Sequence, residues 1–337
     1  MKQPFSPRKL LLPLVPVYRM ALLLRELRLG TRLEPVRRLR FPVVSIGNLS
    51  TGGAGKTPLT IALAQTLERR GLRVDVLSRG YGRRGKSPAR VLPDGTAEEF
   101  GDEPLLIARE TGVPVYVAGQ RFEAGVLAEA ERSADSRVGL HLLDDGFQHR
   151  QLHRDVDILL MNRQDWQDGL LPAGNRREPL QAARRAGVIA IPAKDVELEA
   201  ELRAWGFDGP VWRLERTMEV PAVAGSVAAF CGIARPEQFF AGLEAAGLHI
   251  AARFAFPDHH HFTAADLDRM VGASRKAGAA AIITTEKDQV RLGKLPAAFP
   301  ESLPLKTARL RVEIKREDEA IDWLVDRLRP APAQPPL

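Results

Sequence analysis

Apolar and polar positions along this chain fall into strand-length runs separated by amphipathic stretches. Apolar runs recur at residues 43–46, 73–77, 113–117, 138–143, 156–161 and 187–191, and helix-compatible segments at 59–64, 103–111 and 121–132 separate several of them. Strands alternating with helices predict a parallel sheet flanked by helices, with ligands outside the carboxyl ends of the strands. Residues 210–217 and 221–226 have the look of extended connectors. The alternation then resumes with strand 227–231, helix 236–246, strand 249–256, helix 264–277 and strand 280–284. The expected organisation is an N-terminal segment (1–40), an α/β unit with a P-loop-type parallel sheet (41–216) and a smaller α/β lobe (217–330), joined through an extended β connection. Only the proline-rich tail at 330–337 reads as disordered.

The first forty residues follow a different period. Met20, Leu23, Leu24 and Leu27 recur at i, i+3, i+4 and i+7, while Arg25, Arg28 and Arg32 share another face. Such a basic amphipathic helix suits an anionic membrane interface, leucines in the acyl boundary and arginines among head groups; packing on its own domain is the alternative. The run at 10–17 contains Pro13 and Pro16, is too short to span a bilayer and precedes no small-residue cleavage site.

Composition narrows the partners. A formal charge of +7 and a pI near 9.8 favour anionic ones: nucleotides, phospholipid surfaces or nucleic acid. The single cysteine, Cys231, excludes an intrachain disulfide and sits in the apolar run VAAFC, which predicts a buried thiol.

The segment VVSIGNLSTGGAGKTP, residues 43–58, empties an apolar strand into a glycine-rich loop and then a helix. That layout surrounds nucleotide phosphates with backbone N–H groups; Lys56 suits the β- and γ-phosphates and the Thr57 hydroxyl suits Mg²⁺. Ser50 stands where the pattern G-x-x-x-x-G-K-[ST] has its first glycine, so the cradle comprises Ser50, Thr51, Gly52, Gly53, Ala54, Gly55, Lys56 and Thr57. A second strand, LHLL at 140–143, delivers Asp144 and Asp145, and one of them would serve the Mg²⁺ shell. Asp102, ahead of a helix, is a capping residue or the carboxylate that takes an acceptor's proton. Three adjacent histidines, His259, His260 and His261, cannot easily converge on zinc, because neighbours in an extended segment point to opposite sides; one of them orienting a carboxylate fits better. Arg79, Arg83, Arg84, Arg121, Arg150, Arg176 and Arg177 lie in loops, solvated or gripping phosphate.

Together SIGNLSTGGAGKTP, LSRGYGRR, GDEPLLIAR, LLDDGFQHRQLHRDVDILLMN, LLPAGNRREP, FCGIARPEQFF, FPDHHHF and TTEKD, in this order, closely resemble the tetraacyldisaccharide 4'-kinases. The resemblance implies an ATP- and Mg²⁺-dependent kinase that phosphorylates the acylated glucosamine disaccharide precursor of lipid A at the cytoplasmic face of the bacterial inner membrane, as a monomer and without nucleic acid. It makes Lys56 the phosphate-binding lysine, Thr57, Asp144 and Asp145 the Mg²⁺ and active-site ligands, and places Gln148 and His149 beside them. It also makes Asp102 the general base, His259 its orienting partner, and Arg177 and Glu178 an Arg-Glu pair near the nucleotide. Rival classes fit less well. A membrane-associated partitioning ATPase needs a lysine where Thr51 stands, TEKD at 285–288 lacks the spacer of a guanine-reading motif, and the arginines lack an aromatic stacking platform for nucleic acid.

Overall fold

The apolar runs assemble into one sheet of twelve strands in a computed structural model that describes residues 7–31, 35–53, 55–132, 138–293, 295 and 299–329. In chain order the strands are β1 (Val43–Asn48), β2 (Arg73–Ser78), β3 (Ala89–Arg90), β4 (Val115–Val117), β5 (Gly139–Asp144), β6 (Val156–Leu160), β7 (Val188–Pro192), β8 (Val211–Glu219), β9 (Val227–Cys231), β10 (Ile250–Ala255), β11 (Ala281–Thr285) and β12 (Leu305–Ile314). Across the sheet they run β10-β9-β11-β12-β8-β7-β6-β1-β5-β2-β4-β3. Every pairing is parallel except β12 with β8 and β3 with β4.

The segment expected to be a mere connector is β8, a full member of the sheet, and the expected 216/217 boundary falls inside it. Its sequence VWRLERTME alternates: Trp212 and Leu214 are buried while Arg213 is exposed. Antiparallel pairing with β12, Arg309 opposite Glu219 through Ile314 opposite Leu214, carries the sheet from the first set of strands to the second.

The helices are α1 (Val15–Gly30), α2 (Lys56–Arg69), α3 (Ala97–Phe100), α4 (Asp102–Thr111), α5 (Arg121–Glu131), α6 (Arg163–Gln167), α7 (Val196–Ala204), α8 (Pro236–Ala245), α9 (Ala264–Lys276), α10 (Glu286–Leu292) and α11 (Glu317–Leu328). Helix α2 shows why they pack as they do. Leu59, Leu63 and Leu67 recur every four residues, are wholly buried and meet Ile46, Val74, Val76 and Leu142 in one core. Each such leucine stabilises the fold by about 1.5–3 kcal/mol relative to exposure. The second set of strands has its own core around Phe230, Phe256, Phe262, Met270 and Ile282. Cys231 is fully buried, and burial pushes its thiol up to about 12.

A 3-10 segment, Pro7–Leu14, leads into α1. The expected apolar face of α1, Met20, Leu23, Leu24 and Leu27, lies exposed, as does Val17, and its polar face docks on the protein. The Tyr18 hydroxyl donates to the Arg177 carbonyl at 2.8 Å, Arg25 donates to the Gln148 carbonyl, and Glu26 pairs with Arg150. Arg25, expected among lipid head groups, is therefore turned inward; Arg28 remains exposed and Arg32 lies outside the described residues. No helix among the described residues is long and apolar enough to cross a membrane.

Candidate active site

A cleft of about 1280 Å³ opens at the carboxyl ends of β1, β2 and β5, and is closed on its other side by residues that follow β9, β10 and β11. Ser50, Thr51, Gly52, Gly53, Gly55, Lys56, Thr57, Asp144, Asp145, Gln148, His149, Arg177 and His259 all line it. Ala54 lies outside the described residues.

The phosphate-type loop begins where β1 ends. Gly52 and Gly55 have φ of 98° and 88°, a backbone that side chains disfavour, and a Cβ at Gly55 would lie 2.6 Å from Arg216 Nη2. Ser50 has a positive reason to be there. Its hydroxyl donates to the buried Asp165 carboxylate, and the Thr51 N–H donates to the Asn175 carbonyl at 2.8 Å, so the loop is anchored to the 162–177 segment.

Asn48, the buried last residue of β1, organises the floor. Its Oδ1 accepts from Lys56 Nζ at 3.0 Å and from Arg177 Nη2 at 2.7 Å, and its carbonyl accepts from Gln148 Nε2 at 2.8 Å. Asp145 follows β5 in a left-handed conformation, φ 49°. Lys56 stands 3.5 Å from its carboxylate and Arg177 forks onto both oxygens at 3.0 and 3.3 Å. Burial pushes the Asp145 carboxyl up, but Lys56 and Arg177 outweigh it and hold it near about 2. Asp144 has the opposite environment: burial, with Glu103 and Asp145 as negative neighbours, pushes its carboxyl well above the usual carboxylate range despite Lys56 and a 3.1 Å bond from the Thr60 hydroxyl. His149 is depressed to about 4 by burial and then by Arg121, Arg154, Arg25 and Arg79.

Asp102 and His259, 157 positions apart, meet at the wall of the cleft, which His259 lines. His259 Nδ1 lies 3.1 Å from Asp102 Oδ2, and the ring packs 5.3 Å from Tyr81. Asp102 is no N-cap; Gly101 holds that position, and Asp102 Oδ1 accepts from the Glu103 N–H at 3.0 Å in the first turn of α4. Burial would raise its pKa, but the His259 bond and the charges of Arg291 and Lys287 hold it well below the usual carboxylate range. His259 is shifted up, chiefly by that same bond. Its own backbone is left-handed (φ 60°), a conformation costing roughly 1–2 kcal/mol. The first two of the adjacent histidines diverge: His259 goes to Asp102, and His260 goes to Asp266 at 3.1 Å.

Two sequence expectations shift. Glu178 does not line the cleft; it is buried behind Arg177, accepting from Arg185 at 2.6 Å with Arg25 at 3.5 Å. Of the loop arginines, Arg79, Arg121 and Arg177 face the cleft, whereas Arg84 pairs with Glu98 and Arg150 with Glu26. Three participants went unnoticed in the sequence: Asn48, Arg216 and Arg291. Only Arg291 carried a signal, since it stands one turn beyond the Asp288 of TTEKD.

A parallel sheet that feeds a glycine loop, a lysine and two aspartates into one cleft, faced by the residues that follow β9, β10 and β11, defines a P-loop nucleotide-binding protein. The family pattern described as Tetraacyldisaccharide-1-P 4'-kinase matches residues 7–329. Relatives named tetraacyldisaccharide 4'-kinase include that of Koribacter versatilis, 42% identical over 302 residues (86% of this chain, 89% of the relative), and that of Anaeromyxobacter dehalogenans strain 2CP-C, 40% identical over 333 residues (90% and 86%). The solved structure of LpxK from Aquifex aeolicus in complex with ATP is 31% identical, with a TM-score of 0.74, covering 96% of this chain and 100% of that one. The chain belongs to the tetraacyldisaccharide 4'-kinase family.

Proposed function

We propose that this protein transfers the γ-phosphoryl group of ATP to the 4'-hydroxyl of a tetraacyldisaccharide 1-phosphate. One observation carries the reading within the family: His259, paired with the buried Asp102, lines a single cleft with the glycine loop, Lys56, Asp145 and Arg177. Phosphoryl transfer needs little covalent help; it needs a positioned acceptor, charge stabilisation and a group to take the hydroxyl proton.

In this reading the N–H groups of Gly52, Gly53, Gly55, Lys56 and Thr57, with the Lys56 ammonium, bind the phosphates, while Ser50 and Thr51 anchor the loop through Asp165 and Asn175. Arg177, fixed between Asn48 and Asp145, stands ready to pair with an anion at the same point. The Asp102–His259 pair takes the acceptor's proton. Magnesium fits the residues present. Among the described residues no three acidic, His or Cys side chains form a closed cage, but Mg²⁺ in such sites takes one or two carboxylates and completes its shell with water and phosphate. Asp144, Asp145 and the buried Thr57 hydroxyl would hold it. Burial first, and then the charges of Glu103 and Asp145, disfavour an ionised Asp144, and a divalent cation beside it would offset that cost. When bound, the ion offsets charge on the phosphoryl oxygens.

The exposed apolar face of α1 supports docking on the membrane that carries the substrate, at the cytoplasmic face of the inner membrane. Docking there leaves the acyl chains in lipid, where each buried CH₂ is worth about 0.8 kcal/mol. The same proposal divides the chain into a segment at 1–40 and two lobes that adjoin along the β8–β12 pairing rather than at 216/217. The test is to mix the purified protein with Mg-ATP and tetraacyldisaccharide 1-phosphate in detergent and weigh the lipid. A product heavier by one phosphate is expected. ATP consumed without such a product would point to a partitioning-type ATPase.

A further inference from the structure

We propose that Arg291 is a positioning residue for the proton-accepting pair: its guanidinium pins the Asp102 carboxylate so that His259 presents the basic atom to the acceptor hydroxyl. This rests on the phosphotransferase reading above. Arg291 lies in α10 and its side chain is 6% exposed. Nε and Nη2 reach Asp102 Oδ2 at 2.8 and 2.5 Å, while Nη1 reaches Asp288 Oδ1 at 2.9 Å and the Gly232 carbonyl. One edge of the fork thus holds the start of α4, and the remaining nitrogen ties α10 to the end of β9.

The consequence for Asp102 is saturation. Oδ2 meets three nitrogens, Nε and Nη2 of Arg291 and Nδ1 of His259, and Oδ1 accepts the Glu103 N–H. Its side chain is 6% exposed and does not line the cleft, whereas that of His259 is 37% exposed and does. A proton on Nδ1, shared with Asp102, leaves the lone pair on Nε2. As the 4'-oxygen bonds to the γ-phosphorus, Nε2 takes the hydroxyl proton. The bond from that phosphorus to the β–γ bridging oxygen breaks, its electron pair leaves with ADP, and the proton later passes to solvent.

The charged groups around the pair are Arg291, Lys287 and Asp288 on α10, Glu103 on α4, and Asp258 in the histidine's own loop, with uncharged Tyr81 against the ring. Lys287 is paired with Glu103, Asp288 with Arg291, and Asp258 Oδ1 stands 4.0 Å from both His259 Nε2 and Arg291 Nη2. Arg291 is the one cation of this set in contact with both members, Nη2 lying 3.2 Å from His259 Nδ1. Removing its charge removes the main electrostatic opposition to a protonated ring.

The experiment compares Arg291→Gln and Arg291→Lys with the parent chain. In NMR titration without substrate, Arg291→Gln is expected to raise the His259 pKa by about one unit. The acid limb of kcat should move upward with it, kcat at neutral pH should fall at least tenfold, and KM for ATP should stay within about twofold. Arg291→Lys should return the limb toward its original position but not the full rate, because an ammonium cannot fork. An unmoved His259 titration with a lowered melting temperature would make Arg291 merely structural and overturn the proposal. So would a His259→Gln variant that keeps most of its turnover while Asp102→Asn loses it. If the parent chain transfers no phosphate, the kinase reading falls, and the titration still decides whether Arg291 governs the pair.

Discussion

Replacing Lys56 with methionine should separate chemistry from folding. The side chain is 14% exposed and makes two polar contacts, 3.0 Å to Asn48 Oδ1 and 3.5 Å to Asp145 Oδ1. Neither partner is orphaned by the change, because Arg177 Nη2 remains 2.7 Å from Asn48 Oδ1 and 3.0 Å from Asp145 Oδ1. The hydrogen bond contributes about 1 kcal/mol and the partly solvated ion pair about 0–1 kcal/mol. The stability loss should therefore stay below about 2 kcal/mol, a fall of several degrees in melting temperature at most. Turnover should respond far more. Losing one preorganised charge aimed at the transferring group costs about 2.7–4 kcal/mol of transition-state stabilisation, a drop of roughly 10²–10³ in kcat. Single-turnover transfer at saturating Mg-ATP, alongside thermal melts, makes the comparison. A variant that melts more than about 10 °C early, or that keeps more than a tenth of its turnover, would refute this assignment of Lys56.

Two other perturbations probe the helix and the floor of the cleft. Leu23→Asp with Leu27→Asp places charges on the exposed apolar face of α1 without touching the Tyr18, Arg25 and Glu26 contacts, so co-sedimentation with anionic vesicles should fall at least tenfold while soluble ATP binding stays unchanged; undiminished sedimentation would remove the interfacial role. His149 is depressed to about 4 from 6.5 by burial and nearby arginines, so between those pH values the unfolded chain takes up a proton that the folded chain refuses. Its stabilising contribution is present above pH 6.5 and fades as pH falls toward 4. His149→Gln should flatten the urea-unfolding stability over that window, and an unchanged slope would contradict the assignment.

Much of this site was legible because its elements obey local rules. The strands before the glycine loop and before Asp144 are parallel and buried on both faces, so they stand out as unbroken apolar runs. β9 and β11 followed for the same reason, whereas β10, an edge strand that is partly exposed and carries Arg253, was legible only through its place between two helices. β8 and β12 were not legible: each is charged, half exposed and antiparallel to a partner some ninety positions away, so its place depends on pairing rather than on its own pattern. Asn48 gave no signal beyond a polar residue ending an apolar strand. The approach of Asp102 to His259 was foreseen only through family resemblance, and the clamp of Arg291 on Asp102 depends on the meeting of α4 and α10, which no local pattern encodes.

The central claim is that the Asp102–His259 pair serves proton transfer while the glycine loop separately binds nucleotide. Asp102→Ala tests it when ATP affinity and phosphate transfer to the tetraacyldisaccharide are measured on the same preparation. Asp102 makes no contact with Lys56, Asn48, Asp145 or Arg177, so ATP affinity should stay within about threefold while turnover falls by about 10²–10⁴. Equal losses in affinity and turnover would contradict it and leave Asp102 a binding or folding residue.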